Sequence, residues 1–195
     1  MLLDACVLLP YHLCDLLLRL GETDIYQPLW SDELLGEVRR NLVQAFDRTE
    51  QQATRRIDQM QQAFPHAMVV GFEGLIPAMT NDSKDRHVLA AAVHGQAALI
   101  VTANLKDFPA QALALYGIEA VHPDDFLLDQ LDLYPRQTMQ CLREQRAAYG
   151  RPSLTRSAFY SRLSLTAPQF ADAASRLDGA VPSLELVADT VNSRH

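Results

Sequence analysis

The sequence predicts an α/β fold, a doubly wound parallel sheet covered by helices, followed by a small all-α extension. Three observations carry that prediction. Short apolar runs of strand length stand at Leu2-Leu3, Leu99-Ile100-Val101-Thr102 and Ala120-Val121-His122. Between them lie longer segments whose apolar residues recur at helical spacing. Strands alternating with helices in this way imply a parallel sheet buried on both faces. From about residue 129 onward no run resembles Leu99–Thr102, so the chain divides into an α/β part, 1–128, and a helical part, 129–195.

The elements follow in order. Leu2-Leu3 and Val7-Leu8-Leu9 flank Asp4 as a short buried strand entering a turn that Pro10 ends. Leu13, Leu16, Leu17 and Leu20 form a helical stripe stopped by Gly21. Ser31 suits an N-cap for a helix that buries Leu34, Leu35, Val38 and Leu42. Thr49 suits a second cap, before a stripe of Ala53, Ile57, Met60 and Phe64. Met68-Val69-Val70 is a brief β-like run. Asn81-Asp82 opens a helix that closes at Gly95, and further helices are expected around Ala110–Tyr116 and from Pro123. In the extension, segments near 135–149, 155–164, 168–178 and 183–191 read as helical.

Composition narrows the setting. The chain has 195 residues, 48% of them hydrophobic, enough for a packed core. No apolar run approaches the roughly 18–20 residues of a membrane span. Asp4 stands where a secretory signal carries basic residues, so a cytoplasmic setting is expected. Cys6, Cys14 and Cys141 have no metal-binding or disulfide spacing, and Cys6 reads as a small buried filler. The histidines (His12, His66, His87, His94, His122, His195) lack ligand spacing too, and His87 reads as packed. The net charge of −7 argues at first against nucleic acid, because phosphate binding relies on Lys and Arg. It is unevenly placed, however. Residues 1–128 hold 17 acids against 9 bases, and residues 129–195 hold 7 against 8.

Several acids fall where a parallel sheet binds ligands, beyond the carboxyl ends of its strands. Asp4 follows the first strand, and Asp107 lies shortly after Leu99–Thr102. Asp82 and Asp85 begin a helix, while Glu37 borders an apolar stripe. Singly these read as caps, turn formers or solvated side chains. Gathered at one end of a sheet they repel one another unless a cation separates them. Oxygen donors without His or Cys favour Mg²⁺ or Mn²⁺, ions suited to phosphodiester hydrolysis.

Four segments then resemble the PIN domain family in order and spacing across residues 1–128: Leu2-Leu3-Asp4-Ala5-Cys6-Val7-Leu8, Trp30–Leu42, Asn81–Ala92 and Ile100–Pro109. The resemblance implies a PIN-like doubly wound fold and a Mg²⁺- or Mn²⁺-dependent ribonuclease, such as the VapC-like toxins of toxin–antitoxin pairs. It implies Asp4, Glu37, Asp85 and Asp107 as metal-binding catalytic acids. Asp82 becomes a rim acid, Asn104 a polar neighbour of Asp107, and Thr102 a hydroxyl that steadies the site. Lys84, Arg86 and Lys106 lie within the same motifs and suit phosphates beside the metal. The partners implied are RNA, a small antitoxin and, in some relatives, a second copy of the chain. Residues 129–195 resemble the helical extension of a PIN subgroup, and Arg136, Arg143, Arg146, Arg151, Arg156 and Arg162 read equally as a basic flank or as a solvated helical surface.

The chain departs from the family in two places, with Cys6 where Asn is common and Ala103 where Arg often precedes Asn104. Cys6 also stands where a haloacid-dehalogenase-like phosphatase requires a second Asp, which excludes that class. The remaining alternative is a catalytically silent PIN-like module kept for binding a protein partner.

Overall fold

A computed structural model describes residues 1–150 and 153–180 of the chain. The expected α/β architecture is the observed one. Three parallel strands, β1 (Leu2–Leu3), β2 (Leu99–Val101) and β3 (Glu119–Val121), lie in the order β1-β2-β3. Leu3 pairs with Val101, which pairs with Val121. On the far side of β1 single parallel bridges continue the sheet, Leu2 to Leu29 and Trp30 to Met68. From β1 the chain first builds outward through Leu29 and Met68, then returns to lay β2 on the other flank. The gap between β1 and β2 is therefore the topological switch point, where open α/β sheets bind ligands.

Strand β1 is short because Asp4 ends it. The Asp4 carboxylate accepts the Ala5 N–H over 2.7 Å and caps helix α1 (Ala5–Leu8), so residues after Asp4 are helical where an apolar run was expected. Helix α2 (Tyr11–Glu22) follows; Gly21 lies within it. Ser31 caps α3 (Asp32–Gln44), and Thr49 with Gln52 forms a reciprocal capping box at the start of α4 (Glu50–Ala63). Helix α5 (Arg86–His94) leads into β2, and α6 (Ala110–Ala114) joins β2 to β3. Leu2, Leu3, Trp30, Ile100 and Val101 are fully buried at the centre of the core.

Helix α7 (Pro123–Leu133), capped by the His122 side chain, begins the helical region, with α8 (Pro135–Ala148), α9 (Arg156–Leu163) and α10 (Pro168–Ala180) after it. The boundary expected after residue 128 falls inside α7, a single uninterrupted helix. Leu142, Phe159, Leu163 and Phe170 join the same buried cluster as Leu2 and Leu16. Asp124, 3% exposed, accepts the Gln169 and Phe170 N–H groups over 3.1 and 2.8 Å, so an acid of α7 caps α10 from outside. Arg143 and Arg146, expected in a basic flank or a solvated surface, both pair with the buried Asp178 carboxylate. Arg151, His195 and the segment near 183–191 lie outside the described residues. Among the described residues no helix is long and apolar enough to cross a membrane.

Candidate functional site

The carboxyl ends of β1 and β2 meet at Asp4, which is buried, 4% exposed. Its backbone N–H donates to Val101 O, and its side chain is held from three sides. Oδ1 accepts from Ala5 N. Oδ2 accepts from Thr102 Oγ1 over 2.6 Å and from Cys6 Sγ over 3.1 Å. A buried carboxylate needs such donors to stay ionised. Cys6 is therefore half-buried and hydrogen-bonded rather than mere filler. Burial, and then the charge of Asp4, push its thiol up to about 12, so it remains a donor at neutral pH.

The third motif folds differently from the helix expected at Asn81-Asp82. The Asp82 side chain accepts Lys84 N over 3.0 Å, and Asp85 N donates to Asp82 O over 3.0 Å, forming an Asx turn. This turn delays α5 to Arg86 and puts Asp85, not Asp82, at the N-cap position. Asp82 N also donates to Asp107 O over 3.2 Å, which ties the third motif to the fourth. Asp107 ends a 3₁₀ turn, Leu105–Asp107, directly beyond β2.

These contacts gather Asp4, Asp85, Asp107 and Asp82 into one electrostatic neighbourhood. Asp85 is pushed up to about 6, first by burial, then by the negative charges of Asp4 and Asp107, with Asp82 adding to them and His87 opposing. Among the described residues no three Asp, Glu, His or Cys side chains converge closely enough to enclose an ion as they stand. The acids are near enough to repel but not to ligate together. They fit a hard divalent cation by donor type and by the repulsion such an ion relieves.

The other candidates stand as follows around the four acids in sequence and fold. Glu37 is half-buried on α3, one turn beyond Glu33, and is not among the charges acting on Asp85. Glu33 Oε1 stands 4.0 Å from His87 Nδ1, a contact with no counterpart in the sequence motifs. His87 is buried and its Nδ1 also lies 2.9 Å from Lys84 O, a packed position at the start of α5. Asn104 is exposed, and its backbone N–H donates to Thr102 Oγ1 over 3.0 Å. Lys84 and Lys106 are exposed, and Arg86 is half-buried. Asn81, buried with both side-chain polar atoms unpartnered, went unnoticed in the sequence because the adjacent acids dominate that segment.

Fold and site together define a doubly wound α/β protein with acidic residues gathered at its topological switch point. The chain belongs to the PIN domain family: residues 1–106, more than half of its length, match it. Residues 123–176 match the family described as the VapC50 C-terminal domain. Over 111 residues the chain is 51% identical to “Putative ribonuclease VapC50” of Mycobacterium tuberculosis (strain ATCC 25618 / H37Rv), a stretch covering 57% of this chain and 66% of the relative. The chain thus spans just under two thirds of that relative's length. No solved structure matches it.

Proposed function

We propose that the chain is a divalent-metal-dependent endoribonuclease, the toxin of a type II toxin–antitoxin pair that acts on RNA in the cytoplasm. The observation that carries this reading is the gathering of Asp4, Asp85 and Asp107 at the switch point, where the charges of Asp4 and Asp107 both act on Asp85. Membership of the PIN family, and the ribonuclease in the mycobacterial relative's name, support it.

In this reading Asp4, Asp85 and Asp107 hold Mg²⁺ or Mn²⁺, with Glu37 completing the set from α3. When bound, the ion activates water and neutralises charge developing on a phosphoryl oxygen. Asp4 is the fixed point, because its donors come from Thr102, just beyond β2, and from Ala5 and Cys6 in the first turn of α1. Asp85 stands at the N-cap of α5, where its side chain makes no capping hydrogen bond, and Asp107 ends the 3₁₀ turn. Lys84, Arg86 and Lys106 face the phosphates on either side, and Asp82 and Asn104 shape the rim. A small antitoxin neutralises the toxin by covering these acids.

The silent binding-module reading draws on one observation, that the acids do not converge on one point as they stand. Expression in a bacterium separates the two. The nuclease reading expects wild-type chain to arrest growth and degrade RNA, and Asp4→Asn to do neither. A wild type that leaves growth and RNA intact, yet captures a protein partner tightly, favours the module.

A further inference from the structure

Two hydrogen-bond paths converge on a single oxygen of Asp4. In the first, the Ala103 N–H donates to Cys6 Sγ over 3.2 Å, and the thiol donates to Asp4 Oδ2 over 3.1 Å. In the second, the Asn104 N–H donates to Thr102 Oγ1 over 3.0 Å, and the hydroxyl donates to the same oxygen over 2.6 Å. Sγ and Oγ1 stand 3.4 Å apart, side by side. Successive backbone N–H groups of the fourth motif are thus both tied to Asp4, one through sulfur and one through oxygen.

The count of lone pairs gives this pairing a consequence. Each carboxylate oxygen offers about two acceptor sites. Oδ2 has both filled, by Thr102 and Cys6. Oδ1 has one filled by the Ala5 N–H and one left. As held here, Asp4 would have one acceptor site left for a cation, on Oδ1. An apolar side chain at position 6 would release a site on Oδ2 and unpin Ala103 from the first motif. The sequence offers no amide at this position, and the thiol supplies both the donor and the acceptor an amide would provide.

We propose that Cys6 is a positioning residue: with Thr102 it occupies Oδ2 of Asp4, so that Oδ1 alone faces one divalent cation. This inference rests on the metal-dependent reading above. Groups that orient a ligand without touching the metal typically contribute about 10–100-fold in metal affinity or activity.

The test is Mn²⁺ titration into the full chain, read as stoichiometry and affinity by calorimetry. It compares wild type, Cys6→Ser, Cys6→Ala, Cys6→Val and Asp4→Asn. The expected result is one Mn²⁺ per wild-type chain, affinity lowered about 10–100-fold in Cys6→Ala and Cys6→Val, and affinity near wild type in Cys6→Ser, whose hydroxyl both donates and accepts. RNA cleavage should show lower kcat with unchanged KM in the two apolar variants. Ala and Val differ in volume, so a folding defect in one, seen in its melting temperature, leaves the other informative. Wild-type Mn²⁺ affinity in Cys6→Ala or Cys6→Val overturns the role of Cys6. Two ions per wild-type chain, both lost in Asp4→Asn, overturn the single-cation geometry. A wild type that takes up no Mn²⁺, or an Asp4→Asn variant that binds it equally well, overturns the nuclease reading itself.

Discussion

The Thr102 hydroxyl donates to Asp4 Oδ2 over 2.6 Å, joining residues 98 positions apart in the chain. That bond closes the end of the β1–β2 pair, and both partners are buried. Strand pairing brings the two residues together; their side chains then fix the end of the sheet at which the other acids gather.

Thr102→Val keeps the shape and removes the hydroxyl. Asp4 loses a charge-assisted hydrogen bond and Asn104 N–H loses its acceptor. Such bonds are worth about 1.5–3 kcal/mol, so the melting temperature should fall by roughly 5–10 °C for a chain of this size. Thr102→Ser, which retains the hydroxyl, should melt close to wild type. Equal melting of Val and wild type would show that the bond carries no stability.

Asp85 sets a pH signature in metal-free protein. Its pKa is raised from 3.8 to about 6 in the folded chain, so the native state holds a proton that the unfolded chain has already released. The sign follows from linkage: the contribution of Asp85 to stability declines as pH rises from about 4 to about 6, then levels off. In EDTA, Asp85→Asn should therefore melt above wild type at neutral pH, and the gap should shrink as pH is lowered toward 4. Scanning calorimetry across that range checks it; a gap that is independent of pH contradicts it. Added Mn²⁺ should reverse the ranking, because the ion stabilises only the chain that retains the carboxylate.

Glu37 lies outside the trio that acts on Asp85. Glu37→Gln should lower RNA cleavage by about tenfold, a smaller loss than that of Asp4→Asn measured in the same assay. A loss as deep as that of Asp4→Asn would rank Glu37 equal to Asp4 among the ligands, and no loss would remove Glu37 from the set.

Asp124 fastens α10 to α7 within the helical region. Asp124→Ala leaves the N–H groups of Gln169 and Phe170 without an acceptor and should cost about 1–2 kcal/mol. Hydrogen exchange should quicken first in α10, ahead of β2. Unchanged protection in α10 would mean that the apolar contacts of Phe170 and Leu163 hold it without the cap.

The residues show why some of this was legible in the sequence and some was not. Leu99–Thr102 reads as a strand because Leu99, Ile100 and Val101 form an uninterrupted apolar run, and Thr49 reads as a cap because the chemistry is local. Asp4 stands directly after a strand-like run and Asp107 a few residues after another, so their place at a sheet end follows from position. Helix α5 began later than expected because the Asp82 side chain turns back to Lys84 N, a choice between cap and turn that spacing alone does not decide. The bridge at Met68 falls in the β-like run Met68-Val69-Val70, whereas Leu29 and Trp30 bridge as single residue pairs, too short to leave a periodic pattern. The bonds of Cys6 depend on Ala103 and Thr102, nearly a hundred residues away, and Arg143 and Arg146 are claimed by Asp178 only after α8 and α10 pack.

The most direct test of the gathered acids as a cation-dependent cutting site is cleavage of a defined RNA by purified chain in Mn²⁺. Wild type should cut, excess EDTA should stop it, and Asp4→Asn and Asp85→Asn should each be inactive while still folded. Cleavage that persists in EDTA, or in both variants, would contradict the assignment of Asp4 and Asp85 to the reacting centre.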